Sequence, residues 1–304
     1  MSGTRNTTLS LRGAMTALVT PFDDRGGVDR RALARLVAWQ VDSGIRAIVP
    51  CGTTGEGATL DEEEKYEVVS VAVQSAQGRV PVIAGCGTND TRTTLAGARQ
   101  AARAGADALL VVTPYYNKPN ASGMVAHYEA VAAEAGLPVV VYNVPGRTGQ
   151  NLGSELTLRL SRIEGVAGVK EASGNLEQIA AILAARPAGF AVLSGDDALA
   201  LPTLALGAEG LISVVSNPAP RETAELVDAA LAGALGRARE LHYRLLPLMR
   251  ACFLESNPVP VKTAMQLLGL CAASVRAPLG PPARETVEAL RRALESAEVS
   301  RVAP

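Results

Sequence analysis

Short apolar runs rich in Val and Ile alternate along the chain with longer stretches whose apolar residues recur at helical spacing. That pattern predicts repeated strand–helix units on a parallel sheet. Strands are predicted over 14–20, 47–50, 80–85, 108–113, 139–143, 167–170, 191–194 and 210–214. Helices are predicted between them over 30–42, 60–77, 93–104, 124–135, 176–185 and 198–206. Eight units at even spacing, with no Pro/Ser linker or charge run, predict an α/β fold of the closed (β/α)8 TIM barrel type rather than a doubly wound sheet, which has fewer strands and an irregular switch point. From about residue 221 the pattern is helical, over 221–232, 235–253, 261–268 and 283–297. This gives three parts: an N-terminal tail (1–12), the barrel (13–232) and a C-terminal helical region (233–304) that caps the barrel or builds an oligomer contact.

Length and composition agree with one large unit binding a small molecule. The chain has 304 residues, and 29 Lys plus Arg against 30 Asp plus Glu leave a formal charge of −1. A neutral balance supplies no field to gather phosphates, so neither nucleic acid nor an anionic membrane surface is an expected partner. The opening MSGTRNTTLSLRG carries no signal-peptide run, and no apolar stretch approaches the ~18 residues of a membrane span. A cytoplasmic location is expected. Cys51, Cys86, Cys252 and Cys271 are widely spaced, and His127 and His242 are the only histidines. That predicts reduced thiols, with no metal and no cofactor.

Barrel active sites lie where strands end and βα loops begin, and polar side chains gather at those ends. Lys170 closes the run Val166-Ala-Gly-Val169 and is predicted to point into the barrel mouth. Burial disfavours the ammonium form of a lysine, and the neutral amine can attack a ketone to form a Schiff base; the alternative is a structural pair with Glu171 or a neighbouring acid. Tyr142 ends the preceding strand, within reach of Lys170 for proton transfer or else packing. Arg147, in a Pro/Gly turn, offers a planar fork for a carboxylate or is an ordinary loop arginine. The loop 52–57, Gly-Thr-Thr-Gly-Glu-Gly, presents amides and hydroxyls for an anion, or is a plain turn. Asp196 and Asp197 read as helix caps or as metal ligands.

Six motifs, GTTGE (52–56), TPYYNKP (113–119), YNVPGRTG (142–149), GVKEASGN (168–175), LSGDD (193–197) and NPVPVK (257–262), resemble in order those of the 4-hydroxy-tetrahydrodipicolinate synthase family. This family belongs to the pyruvate-dependent class I aldolases, which include N-acetylneuraminate lyase. The resemblance implies a lyase of lysine and diaminopimelate biosynthesis acting on pyruvate and L-aspartate 4-semialdehyde. Lys170 would form the Schiff base, and Tyr142 would move protons through Thr53 to Tyr116. It further implies Thr54, Gly195 and the backbone of Ile212 around pyruvate, and Arg147 on the aldehyde's carboxylate. Tyr116 would reach a neighbouring subunit, so a homo-oligomer is implied, at least a dimer and usually a homotetramer, as a dimer of dimers. Thr53 and Arg147 favour the synthase over a pyruvate-lyase or dehydratase acting on a sugar acid.

Overall fold

In the computed structural model, which describes residues 9–299, the frame is eight parallel strands. They are β1 (Gly13–Ala17), β2 (Ala47–Val49), β3 (Ile83–Gly85), β4 (Ala108–Val112), β5 (Val139–Asn143), β6 (Val166–Glu171), β7 (Ala191–Ser194) and β8 (Gly210–Ser213). They pair in the order β2-β1-β8-β7-β6-β5-β4-β3, and a bridge between Ile48 and Val82 joins the two ends. Across this seam the Ile48 amide donates to the Pro81 carbonyl (3.0 Å) and the Gly85 amide to the Pro50 carbonyl (2.9 Å). The expected barrel is therefore the fold; residues 1–8 of the expected tail, and 300–304, lie outside the described residues.

The helices start where the sequence supplies caps. α1 (Arg30–Asp42), α2 (Glu62–Ala76), α3 (Thr91–Arg103), α4 (Ala121–Ala135) and α7 (Leu176–Ala185) follow Asp29, Asp61, Asp90, Asn120 and Asn175. Each of those side chains accepts a first-turn backbone N–H, and Asp61 with Glu64 completes a capping box. α8 (Ala200–Ala205) and α9 (Pro220–Leu231) close the barrel layer, and α10 (Leu235–Ala251), α11 (Val259–Leu267) and α12 (Arg284–Ser296) form the C-terminal part. Two elements between β5 and β6 were not expected, α5 (Pro145–Thr148) and α6 (Ser154–Leu160). Both are too short to display helical periodicity, and Pro-Gly reads locally as a turn.

Two apolar layers surround the strands. Met15, Val49, Ile83, Leu110, Val140, Leu193 and Ile212 fill the barrel, while Ala14, Ile48, Leu109, Val141, Val192 and Leu211 pack outward among the helices. On β6, Val166 and Val169 both face outward whereas Ala167 packs against the interior set. The register explains this: Val139 pairs with Val166 but Val140 with Gly168. The extra residue on β6 is a bulge that reverses the strand's in–out phase. Lys170 consequently points inward and Glu171 outward.

A buried ion pair joins the C-terminal helices to the barrel. Lys262 Nζ, on α11, lies 2.6 Å from Glu56 Oε1, and the two side chains are 0% and 1% exposed. Lys262 also donates to the Ser274 carbonyl (2.7 Å) and sits 4.0 Å from the Phe22 ring centroid, while the Arg276 amide donates to Glu56 Oε2 (2.9 Å). Burial pulls Lys262 below the usual lysine range, with the Glu56 carboxylate opposing. Replacing Lys262 by Met leaves a buried carboxylate uncompensated, and we expect a loss of about 3–5 kcal/mol in urea unfolding; a loss under about 1 kcal/mol would show that the pair does not hold the two parts together.

Candidate active site

The reactive groups converge at the C-terminal ends of the strands. Lys170 is 4% exposed, and its Nζ lies 4.3 Å from the ring centroid of Tyr142, its cross-strand neighbour. Among the described residues Nζ has no ion-pair partner. Glu171 is committed on the other face, where it accepts from Asn143 Nδ2 (3.0 Å), Gln178 Nε2 (3.1 Å) and the Ser173 amide (2.7 Å). The structural Lys170–Glu171 pair is thereby excluded. Space for the lysine comes from Gly195: a Cβ there would fall 3.1 Å from Lys170 Cε and 2.8 Å from Ala172 Cβ.

The 51–57 loop folds back tightly on itself. Cys51 and Glu56 take φ values of 57° and 53°, and a Cβ at Gly57 would lie 2.1 Å from the Cys51 carbonyl oxygen. Within it the Glu56 and Gly57 amides donate to the Thr53 and Gly52 carbonyls (both 3.1 Å), which closes the turn. Thr54, 2% exposed, accepts a 3.0 Å hydrogen bond from Asn257 Nδ2. Thr53, Tyr115, Tyr142, Arg147 and Asn257 line a cavity of ≈ 470 Å³. Arg147, exposed on α5, donates to the Asn257 carbonyl at 3.4 Å, leaving most of its N–H groups to face a ligand.

Not every expected residue stands on the cavity wall. Lys170, Thr54, Gly195 and Ile212 are absent from it; Lys170 lies beside the lining Tyr142, and Ile212 is fully buried in the barrel interior. Tyr116 is 89% exposed at φ 71° and is also absent from the wall. No hydroxyl relay from Tyr142 to Tyr116 forms within this single chain among the described residues. Asn257 was not singled out from the sequence; its only signal was its place at the head of NPVPVK.

Other polar groups have structural work. Asp196 accepts from the Ala198 amide (2.9 Å), and Asp197 accepts from the Ser213 hydroxyl and the Val214 amide (3.0 Å). The expected helix capping is corrected: the N-cap position of α8 is Leu199, with no side-chain hydrogen bond, while Asp196 closes a turn just before the helix and Asp197 ties the end of β7 to the end of β8. Burial raises Asp197 above the usual carboxylate range despite those bonds. The four cysteines are free; burial pushes Cys51 and Cys86 up to about 12 and Cys271 up to about 11, and raises Cys252 as well. A thiol so placed stays protonated and unreactive near neutral pH. A larger, shallow hollow of ≈ 1030 Å³ lies at the opposite end, against Pro138 and Gly165. It gathers no amine beside a tyrosine, and barrel chemistry sits at the other face.

The model of the dihydrodipicolinate synthetase family matches residues 10–297. The chain belongs to that family. A curated 4-hydroxy-tetrahydrodipicolinate synthase of Methanothrix thermoacetophila is 50% identical over 284 residues, 93% of this chain and 96% of the relative. The crystal structure of dihydrodipicolinate synthase from Aquifex aeolicus is 43% identical, covers 96% of this chain and 100% of its own, and superposes with a TM-score of 0.93. The enzyme from Acinetobacter baumannii, solved in complex with pyruvate, is 41% identical over 95% of this chain and 100% of its own, with a TM-score of 0.93. No helix among the described residues of this family member is long and apolar enough to cross a membrane.

The family assignment gives the crowding at Gly195 a testable consequence. Gly195→Ala must push either Ala172 or the Lys170 stem, since both contacts fall below ordinary Cβ spacing. We expect a fold unchanged by circular dichroism and at least a tenfold loss of kcat/KM, because small displacements of a reacting group cost about that much. Activity within twofold of the parent would mean that the lysine has room to spare.

Proposed function

We propose that the protein condenses pyruvate with L-aspartate 4-semialdehyde to give 4-hydroxy-tetrahydrodipicolinate, a step of lysine and diaminopimelate biosynthesis, acting in the cytoplasm as a homo-oligomer. The observation that carries this reading is Lys170, an amine buried beside Tyr142 with no acid partner among the described residues, in a chain of this family. The sugar-acid alternative has no comparable support.

The lysine supplies its own electron sink. Its amine attacks the ketone carbon of pyruvate and water leaves, forming an imine. Loss of a methyl proton gives an enamine, whose carbon bonds to the aldehyde carbon while the aldehyde oxygen takes up a proton. The substrate's amino group then adds at the imine carbon, closes the ring and releases Lys170. In this reading Thr54 and the loop amides hold the pyruvate carboxylate, with Gly195 and the Ile212 backbone bordering it. Arg147 takes the aldehyde's carboxylate by charge-assisted hydrogen bonds. Tyr142 moves the protons, joined through Thr53 to Tyr116 of a second copy. The exposure of Tyr116 on a left-handed backbone supports that last role, since strain of about 1–3 kcal/mol is tolerated where a residue serves a site.

Borohydride added with pyruvate is expected to label Lys170 and none of Lys65, Lys118 or Lys262, with aspartate semialdehyde consumed in turnover and N-acetylmannosamine untouched. Mass spectrometry placing the adduct elsewhere, or consumption of the sugar, would refute the reading. For the oligomer, inactive Tyr116→Phe and Lys170→Ala proteins should recover activity when unfolded and refolded together, because some hybrid sites then hold both groups. Verified hybrids without recovery would mean that each chain works alone.

A further inference from the structure

We propose that Asn257 is a positioning residue that orients the Thr54 hydroxyl toward the substrate carboxylate and at the same time holds Arg147. The proposal deepens the pyruvate reading above and rests on it. Asn257 Nδ2 and Thr54 Oγ1 are 3.0 Å apart in a buried contact. An amide nitrogen can only donate, and a hydroxyl carries one hydrogen. Thr54 therefore accepts from Asn257, and its own hydrogen remains free; among the described residues its oxygen has no other hydrogen-bond partner. A donor held in this sense, buried in the loop that follows β2, suits an anion. The reversed amide would consume that hydrogen internally and leave nothing for a ligand.

Two further features separate Asn257 from a packing residue. Its Oδ1 is buried without a partner, in a residue that lines the cavity beside Tyr142 and Arg147. An unpaired buried acceptor is costly, and such costs collect where a site serves a ligand. Its main-chain carbonyl receives the Arg147 Nη2 at 3.4 Å. One residue thus touches the group proposed for each of the two carboxylates, and it leads directly into α11, which the Lys262–Glu56 pair pins to the loop carrying Thr54. Lys262 Nζ and Asn257 Nδ2 reach across to residues 206 and 203 positions away.

The test is a double-mutant cycle read in steady-state kinetics and in borohydride trapping. Asn257→Ala should raise the pyruvate KM by roughly five- to tenfold, the worth of one hydrogen bond, while kcat at saturating pyruvate and the aldehyde KM change less, because the carbonyl to Arg147 remains. In a Thr54→Val background the same change should add less than about twofold, since an effect passed through Thr54 is not additive. Asn257→Asp, close in shape but able only to accept, should take the Thr54 hydrogen and raise the pyruvate KM further than Ala. It also carries the test if the alanine variant does not fold. Equal effects of Asn257→Ala in both backgrounds, or an Asp variant matching the parent, would overturn the proposal. Absence of any pyruvate adduct on the parent enzyme would overturn the functional reading and this proposal with it; a labelled parent with additive variants overturns this proposal alone.

Discussion

The carboxylate of Glu56 and the ammonium of Lys262 meet in a dry interior, and the site depends on that meeting. Neither charge can be buried alone, because the desolvation of an isolated ion costs far more than any one contact returns. Glu56 therefore draws to itself the Lys262 ammonium and the Arg276 amide, while Lys262 adds the Ser274 carbonyl and the Phe22 ring. Arg276 extends the cluster by pairing with Glu64, whose carboxylate it holds below the usual range. The loop bearing Thr53 and Thr54 and the segment bearing Asn257 stand on the two sides of this cluster. The ion pair ties together two stretches 206 positions apart in the chain, alongside the apolar packing of Val261, Ala264 and Met265 into the core.

The same logic operates in reverse around Lys170. The neighbouring acid, Glu171, is held by three donors on the helical side of the barrel, so it cannot reach the amine. What faces Lys170 is an aromatic ring and the gap left by Gly195. An amine without a fixed counter-ion, with space at its side, can bond to a substrate instead of to the protein. Arg147 and Tyr116, by contrast, are exposed, and Tyr116 stands off the cavity wall.

Strand ends made most of the site legible. Lys170 and Tyr142 each close a short apolar run, so their place at one end of the barrel follows from periodicity and from the geometry of βα units. The caps at Asp29, Asp61, Asp90, Asn120 and Asn175 emerged with the structure, although capping is a contact within one turn. α5 and α6 were not legible, being shorter than the period that would reveal them. Asn257 also escaped, since an asparagine before a proline looks like an ordinary turn until its partner is known.

Local pattern alone therefore determined the eight strands, most of the helices between them, the helical C-terminal part and the polar strand ends, all of which rest on neighbours within a few residues. Tertiary structure decided three things that no local pattern encodes. The bulge after Val166 set which of Lys170 and Glu171 faces the barrel interior, because one extra residue inverts a period of two. The partners of Thr54 and Glu56 lie more than 200 positions away, and such choices are made by packing and desolvation once the barrel has closed. The isolation of Tyr116 from the cavity is the third, since the reach of a side chain is fixed by the folded loop beneath it and not by its place in a motif.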